Sequence, residues 1–517
     1  MLKAIKALWR CKLLTPVGIW HVLNSIRLDG INLMALLYIR QKLSPQQTAI
    51  IATDYTLDYR TLYKQSQHLA NQLFTHCQIS PRQKIAVMAT NHALLVHTLF
   101  ALAALGADVY LLNTEISSSQ LGQINDKVQF DWIIHDPEIS TLPAVKTLPT
   151  YHDNLLSIQT LLRAAPPNNP LKRPVTHFSK ITVLTSGTTG RFKLAGRSSQ
   201  AQNFISPFYQ LLVKLNLSDF QRIYLATPIY HGFGMATLCM SVLLGATIFL
   251  RTRFVAEKAC HLIADHHIEV VTLVPLMLAR MISYSEQHLS SLRCIITGGA
   301  PITPALVTHV LNRYGKVLFN LYGTSEAGIA MIATSADLAA HPATIGQPLK
   351  GLSAKLMKDG QVTATQGELY LKCAWSTQGN QWVATGDLAC KDKHGYYYLQ
   401  GRVDDMIISG GENVYPFELE TSLLSHPHIA DTSVVSVVDE DFGQRLVAFI
   451  VLKLGAAETK TTLLDWLRTR IARYQMPKTI ILLDELPMTG IGKVDRKKLR
   501  QLFSTQAGNE NEQPHIH

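Results

Sequence analysis

Ile181-Thr182-Val183-Leu184-Thr185-Ser186-Gly187-Thr188-Thr189-Gly190-Arg191-Phe192-Lys193 is the stretch that decides the fold. Its first third is an apolar, strand-like run. The rest is a loop of Ser, Thr and Gly that closes on a lysine. Glycines let backbone amides approach an anion closely, and exposed amides and hydroxyls can wrap phosphate oxygens. Lys193 adds a point charge. The spacing does not match G-x-x-x-x-G-K-[ST], so this is not a Walker loop. A Ser/Thr/Gly loop alone is more often a turn than a phosphate site, so its weight comes from its surroundings.

Outward from it, short apolar runs alternate with helix-like segments from about residue 45 to 400. Strands are expected at Lys84–Met88, Val109–Leu112, Ile181–Thr185, Ile223–Ala226, Val270–Val274 and Cys294–Thr297, with helices at Leu94–Leu105 and Ala201–Leu215. This alternation predicts an α/β architecture with largely parallel strands. Residues 164–176, rich in Pro and Asn, read as a surface connection. The texture changes near Gly401: two β-rich runs, Thr432–Val438 and Leu446–Lys453, precede a helix-like Thr461–Tyr474. The expected organisation is an N-terminal extension (1–44), a large domain (45–401), a smaller α+β domain (402–503) and a polar, frayed tail (504–517).

Two segments bear on membranes. Phe233 to Leu250 holds 18 residues without a charge, but Gly245 splits it, so a buried helix followed by a buried strand is the better expectation. Residues 2–12 are amphipathic, with Leu2, Ile5 and Trp9 on one helical face and Lys3, Lys6 and Arg10 on another. A contact with anionic lipid is one reading; a helix docked on the protein body is the favoured one.

The chain has 517 residues, more than one ordinary core, with 47% hydrophobic and 16% charged residues. Its formal net charge is +11. Zinc-ligand spacing, base-reading helices and aromatic RNA-binding signatures are lacking, so the charge suits a nucleotide and an acidic substrate better than a nucleic acid. Seven scattered cysteines without Cys-x-x-Cys fit reduced thiols and a cytoplasmic setting. No secretory signal is expected.

Five further motifs follow the loop in order: Gly298-Gly299-Ala300-Pro301; Tyr322-Gly323-Thr324-Ser325-Glu326; Thr385-Gly386-Asp387; Gly401-Arg402-Val403-Asp404-Asp405; and Pro487-Met488-Thr489-Gly490-Ile491-Gly492-Lys493-Val494-Asp495-Arg496. Each alone reads as a turn, an exposed acid or a solvated charge run. Six in this order make coincidence a poor explanation. The series resembles the adenylate-forming superfamily of acyl-CoA synthetases, aryl-CoA ligases, adenylation domains and beetle luciferases, from about residue 45 to 502. Ser409-Gly410-Gly411-Glu412-Asn413-Val414-Tyr415-Pro416 is most similar to fatty or aryl acyl-CoA ligases.

The resemblance implies a large layered domain plus a small mobile one, and it implies roles. Thr185, Ser186, Gly187, Thr188, Thr189, Gly190 and Lys193 would hold the β- and γ-phosphates of ATP. Gly298, Gly299, Ala300 and Pro301 would line the adenine and acyl pockets. Tyr322, beside Gly323, would stack on adenine. Thr324 and Ser325 would bond the α-phosphate, and Glu326 would ligate Mg²⁺. Asp387 would accept the ribose hydroxyls, with Arg402 in support. Lys493 would be the catalytic lysine, relieving the repulsion between a carboxylate and a phosphate. Asp404 would be the hinge, Gly410 and Gly411 would line the thiol tunnel, and His231 would sit near the acyl carboxylate. Phe192, Leu194–Gln200 and Ser325 depart from the family's usual residues.

The implied activity is activation of a carboxylic acid, fatty or aryl, followed by transfer to CoA. A ligase loading a separate acyl carrier protein would use the same residues. A non-catalytic nucleotide- or acyl-binding protein is the rival of another class, and the intact Glu326, Asp387, Arg402 and Lys493 argue against it. An amino-acid substrate is not expected, because Tyr230-His231-Gly232-Phe233-Gly234 lacks an Asp to pair an ammonium group. Phe233, Met235 and Leu238 suggest an apolar acyl pocket.

Overall fold

The computed structural model describes residues 2–30, 32–53, 55–139, 142–166, 179–186, 192–195, 205–409, 412–439, 443–490 and 492–510. The opening run forms the strand Ile181–Ser186, parallel to Asp108–Leu111 and antiparallel to Phe192–Ala195. The phosphate-type loop thus joins two paired strands, with Thr185 opposite Lys193. Residues 187–190 themselves lie outside the described residues, as does most of the divergent segment after Ala195.

These strands are one edge of a six-stranded sheet, in the order Lys146–Pro149, Trp132–His135, Lys84–Met88, Asp108–Leu111, Ile181–Ser186, Phe192–Ala195. A nine-stranded sheet runs Gln347–Pro348, Gly328–Ala333, Leu318–Thr324, Cys294–Gly298, Val270–Leu273, Arg222–Leu225, Thr247–Phe249, Thr48–Ile51, Thr56–Asp58. Its six middle strands, Leu318–Thr324 to Thr48–Ile51, pair in parallel. Such strands are covered on both faces, and Cys294–Gly298 is buried at every position. Helix Ala93–Leu105 is apolar all round, and its Leu95 and Leu99 share one core with Ile85 and Val87 of one sheet and Ile50 and Ile248 of the other. Helices sandwiched between two sheets make the layers of the large domain.

An antiparallel five-stranded sheet follows, ending in Tyr397–Arg402. Ile407–Ser409 then begins a last sheet with Glu412–Val414, Ile429–Asp439, Gly443–Leu452 and Thr479–Leu482, which has its own core around Leu419, Val434, Ile450 and Leu463. The texture change near Gly401 therefore falls where the chain passes from one sheet to another.

Gly245, in left-handed conformation with φ 73°, ends helix Gly232–Leu244 before strand Thr247–Phe249, as the sequence suggested. Among the described residues no helix is long and apolar enough to cross a membrane. All seven cysteines are free.

Three expectations change. The polar tail does not fray at Ser504: helix Arg496–Glu510 continues through it, and only residues beyond 510 lie outside the described part. The segment 1–44 is not one appendage. Helix Leu33–Leu43 enters the main core with Met34 and Leu37 fully buried. Helix Leu2–Arg10 does dock on the body, but through Ala7 and, just beyond it, Cys11; Ile5 and Trp9, taken as its apolar face, are exposed.

Candidate active site

Strands Arg222–Leu225, Val270–Leu273, Cys294–Gly298 and Leu318–Thr324 lie side by side in parallel, so their carboxyl ends open on one edge of the sheet. Ligands of such sheets bind beyond those ends. The loops there carry His231, Gly299–Pro301 and Thr324–Glu326, and all of them line a single cleft of about 3210 Å³. Asp387, Arg402, Asp404 and Lys493, from later elements, line the same cleft. A β-carbon at Gly298 would stand 2.9 Å from the Leu321 carbonyl oxygen and 3.5 Å from the Phe233 ring. Only glycine lets the floor of the cleft come so close to its neighbours.

Tyr322, Asp387 and Arg402 form a chain. The Tyr322 hydroxyl donates to Asp387 Oδ2 at 2.6 Å, and an Arg402 amino group donates to Asp387 Oδ1 at 2.8 Å. Arg402 Nε also donates to Asp404 Oδ1 at 2.9 Å. Burial raises the Asp387 pKa, while the bonds from Tyr322 and Arg402 oppose that rise. Burial, and then Asp387, push the Tyr322 phenol far above its usual value, so it stays a donor. Each Asp387 oxygen keeps a second lone pair that can accept a further hydroxyl.

Lys493 arrives from the small domain. Its loop is a closed unit: Thr489 N–H donates to the Lys493 carbonyl at 2.8 Å, Lys493 N–H donates to Thr489 Oγ1 at 3.2 Å, and Gly492 takes φ 76°. A β-carbon at Gly492 would meet Met277 Cε at 2.6 Å, so the loop is pressed onto the helix Pro275–Tyr284 of the large domain. Lys493 Cε approaches Gly299, and a small cavity of about 10 Å³, about the space for one water, is lined by Lys493, His231, Phe233, Gly298 and Gly299. Burial lowers the Lys493 pKa; Asp387 raises it and Arg402 lowers it.

His231 is the N-cap of helix Gly232–Leu244, its Nδ1 accepting from Phe233 N–H at 3.4 Å. Burial first, and then Lys493, push its pKa down to about 4, so it is neutral at pH 7. Thr324 Oγ1 accepts from Ala327 N–H at 3.0 Å, which shapes the turn that presents Ser325 and Glu326 to the cleft. Glu326, a carboxylate on the cleft wall beside Thr324 and Ser325, fits Mg²⁺, a hard cation that takes oxygen ligands and keeps several waters.

The structure thus brings together Gly298–Pro301, Tyr322–Glu326, Asp387, Arg402, Asp404, His231 and Lys493. Thr185, Ser186 and Lys193 are placed on the paired strands by backbone. Gly187, Thr188, Thr189, Gly190, Gly410 and Gly411 lie outside the described residues.

Sequence reasoning missed two residues. Glu115 Oε2 accepts from Gly490 N–H at 2.6 Å and so ties the lysine loop to the large domain. Asn91 is buried, donates to the Thr227 carbonyl at 2.9 Å and accepts from Ile229 N–H at 2.8 Å, fixing the turn that leads to His231. Glu115 follows strand Asp108–Leu111, a carboxyl end where a functional acid could have been sought. Asn91 gives no comparable signal.

The sequence model of the AMP-binding enzyme family matches residues 39–379, and that of the AMP-binding enzyme C-terminal domain matches 418–493. The chain is 28% identical over 479 residues to 2-succinylbenzoate–CoA ligase of Bacillus subtilis strain 168, covering 89% of this chain and 96% of that protein. It is similar to the solved o-succinylbenzoate coenzyme A synthetase of Bacillus subtilis in complex with ATP and magnesium ion, with TM-score 0.75, 27% identity, and 90% and 99% of the two chains covered. An anthranilate CoA ligase in complex with anthranoyl-AMP shares the fold, with TM-score 0.79, 22% identity, and 92% and 98% covered.

Proposed function

The chain belongs to the AMP-binding enzyme family, and from that premise we propose that it joins a carboxylic acid, aryl or fatty, to coenzyme A through an acyl-adenylate. It is an AMP-forming acid–thiol ligase that uses ATP, Mg²⁺ and CoA. The observation that carries this reading is the meeting of Lys493 with the Gly298–Gly299 floor, in the cleft that also holds Tyr322, Asp387 and Arg402.

In the first half-reaction a carboxylate oxygen attacks the α-phosphorus of ATP and pyrophosphate leaves. Lys493 bridges the two anions and offsets their repulsion, an effect worth most in a site screened from water. Asp387, held by Tyr322 and Arg402, accepts the ribose hydroxyls and orients the nucleotide. Gly298–Pro301 and the Tyr322 ring flank the base. Thr324 and Ser325 bond the α-phosphate, with the loop 185–193 on the outer phosphates. Glu326 would hold Mg²⁺, which supplies charge neutralisation at the phosphates. Neutral His231 orients the acyl carboxylate without adding charge.

In the second half-reaction the small domain turns about Asp404, Lys493 withdraws, and Gly410–Gly411 line the route of the thiol. The CoA thiolate attacks the acyl carbonyl carbon, and AMP leaves with the bonding electrons. Domain motion about a short hinge lets one cleft serve both steps. We place the boundary between the large and small domains at this hinge.

The relatives' 2-succinylbenzoate, an aryl acid, is the first substrate to test. A long aliphatic acid is a second reading, favoured by the Leu33, Leu36, Leu211, Leu212, Leu215 and Met240 that line the same cleft. ATP–pyrophosphate exchange with 2-succinylbenzoate, benzoate and a series of fatty acids decides between them. Exchange driven by one class and acyl-CoA formation from it supports the proposal. No exchange with any acid overturns it, and acyl transfer only to a carrier protein would replace CoA as the acceptor.

A further inference from the structure

Helices Leu2–Arg10 and Pro16–Asp29 precede the stretch matched by the family, which begins at residue 39. Each is docked by one narrow face. Ala7 and Cys11 are buried, as are Gly18 and Ser25, and a β-carbon at Gly18 would stand 1.9 Å from the Lys12 carbonyl oxygen. The opposite faces are apolar and uncovered. On Pro16–Asp29 the outward residues Ile19, Trp20, Leu23 and Ile26 recur at i, i+1, i+4 and i+7, one helical stripe. Trp9, Trp20 and Leu23 are 57%, 60% and 63% exposed. Scattered apolar residues on a surface need no explanation, but a stripe holding a tryptophan on each of two adjacent helices does.

We propose that these two helices seat the enzyme on an anionic lipid bilayer. The charge pattern selects this occupant. Lys3, Lys6, Arg10, Lys12 and Arg27 fall in this stretch, and no Asp or Glu occurs before Asp29. Arg10 already pairs with Asp219 and helps hold its helix to the body, while Lys6, Lys12 and Arg27 are exposed. A second copy of the chain on the same surface would bring two basic rims together, whereas phosphatidylglycerol headgroups neutralise them. Tryptophan favours the bilayer interface, where its ring is apolar and its N–H stays wet. Helices of 9 and 14 residues lie in that interface and cannot span it.

Deleting residues 1–12 is a poor test. Buried Arg40 donates to the Cys11 carbonyl at 2.9 Å and also to Leu243, so truncation would strip an acceptor from a buried cation. The better test is co-sedimentation of the full chain with vesicles of phosphatidylcholine plus phosphatidylglycerol, and with phosphatidylcholine alone. Wild type should bind the anionic vesicles and much less to the neutral ones. Trp20→Glu with Leu23→Glu should lower binding by about tenfold or more, and Lys6→Glu with Arg27→Glu by about fivefold for each charge lost. Unchanged pyrophosphate exchange in solution certifies the fold of each variant. Failure of wild type to bind, binding that these variants leave intact, or a concentration-dependent dimer that they abolish would each overturn the proposal.

Discussion

The two halves of the cleft are held in different ways. Gly298–Pro301 and Tyr322–Glu326 sit at the ends of strands whose neighbours are paired along their length, and Asp387 lies within the strand Trp382–Lys391, opposite Arg402. Lys493 stands on a loop that closes on itself and touches the large domain at a few points: Glu115 on Gly490, Met277 under Gly492, and Arg280, which reaches the Leu486 carbonyl at 3.5 Å and Glu485 at 3.7 Å. Residues held by paired strands cannot move without breaking ladders. A lysine held by a handful of contacts can leave. On the proposed function, the contrast separates the residues expected to set affinity for the nucleotide from the lysine expected to set the choice between half-reactions.

The sharpest way to break this comparison is Lys493→Ala. Pyrophosphate exchange should fall about 10²- to 10³-fold, the cost of losing one preorganised electrostatic stabiliser, while thioester formation from supplied acyl-adenylate stays near wild type. Wild-type exchange rates would remove Lys493 from the chemistry. Next comes the hinge. Asp404→Pro should slow the thiol half-reaction about tenfold more than adenylation, whereas Asp404→Ala, which also loses the bond from Arg402 but keeps a flexible backbone, should not show that imbalance. Equal losses in both steps would show that the small domain does not turn there.

Glu115→Ala should cost adenylation roughly three- to tenfold, because a charge-assisted hydrogen bond at a solvent-exposed seam is worth a modest amount. The thiol step should be spared, and Glu115→Gln, which keeps an acceptor, should recover part of the loss. An equal fall in both steps would make Glu115 a fold residue only. The smallest effect concerns pH. His231 titrates near 4 when folded and at its ordinary 6.5 when unfolded, so the unfolded chain binds more protons between these values. Stability should therefore decline as pH falls from about 6.5 towards 4, and His231→Asn, which keeps a cap, should flatten that slope slightly in pH-dependent thermal melts.

The sequence disclosed the fixed half well. Each strand end was an apolar run followed by small residues, and Ile181–Ser186, Cys294–Gly298 and Val270–Leu273 appear within a residue of their expected bounds. The seam was not legible. The bond between Glu115 and Gly490 joins residues 375 positions apart, and neither belongs to a pattern that names the other. Helix Leu2–Arg10 failed in another way. Its periodicity marked Ile5 and Trp9 as an apolar face, but the face that docks carries Ala7 and Leu8, with Cys11 and Leu13 just beyond the helix. Helix Arg496–Glu510 runs through the part of the chain expected to be a frayed tail because polar residues extend a helix once its first turns are anchored, here through Leu499 in the small-domain core.

His231 begins the helix Gly232–Leu244 and also borders the cavity shared with Lys493. Position 231 therefore belongs to two ledgers at once. Anyone reshaping the acyl end of the cleft must choose there among side chains that also start a helix, such as Asn, Asp, Ser or Thr. Asp would set a fixed negative charge beside an incoming carboxylate. The usable alphabet at that position is thus about three letters long, and, on the proposed function, substrate range will be easier to alter from the cleft wall at Leu211, Leu215 and Met240 than from position 231.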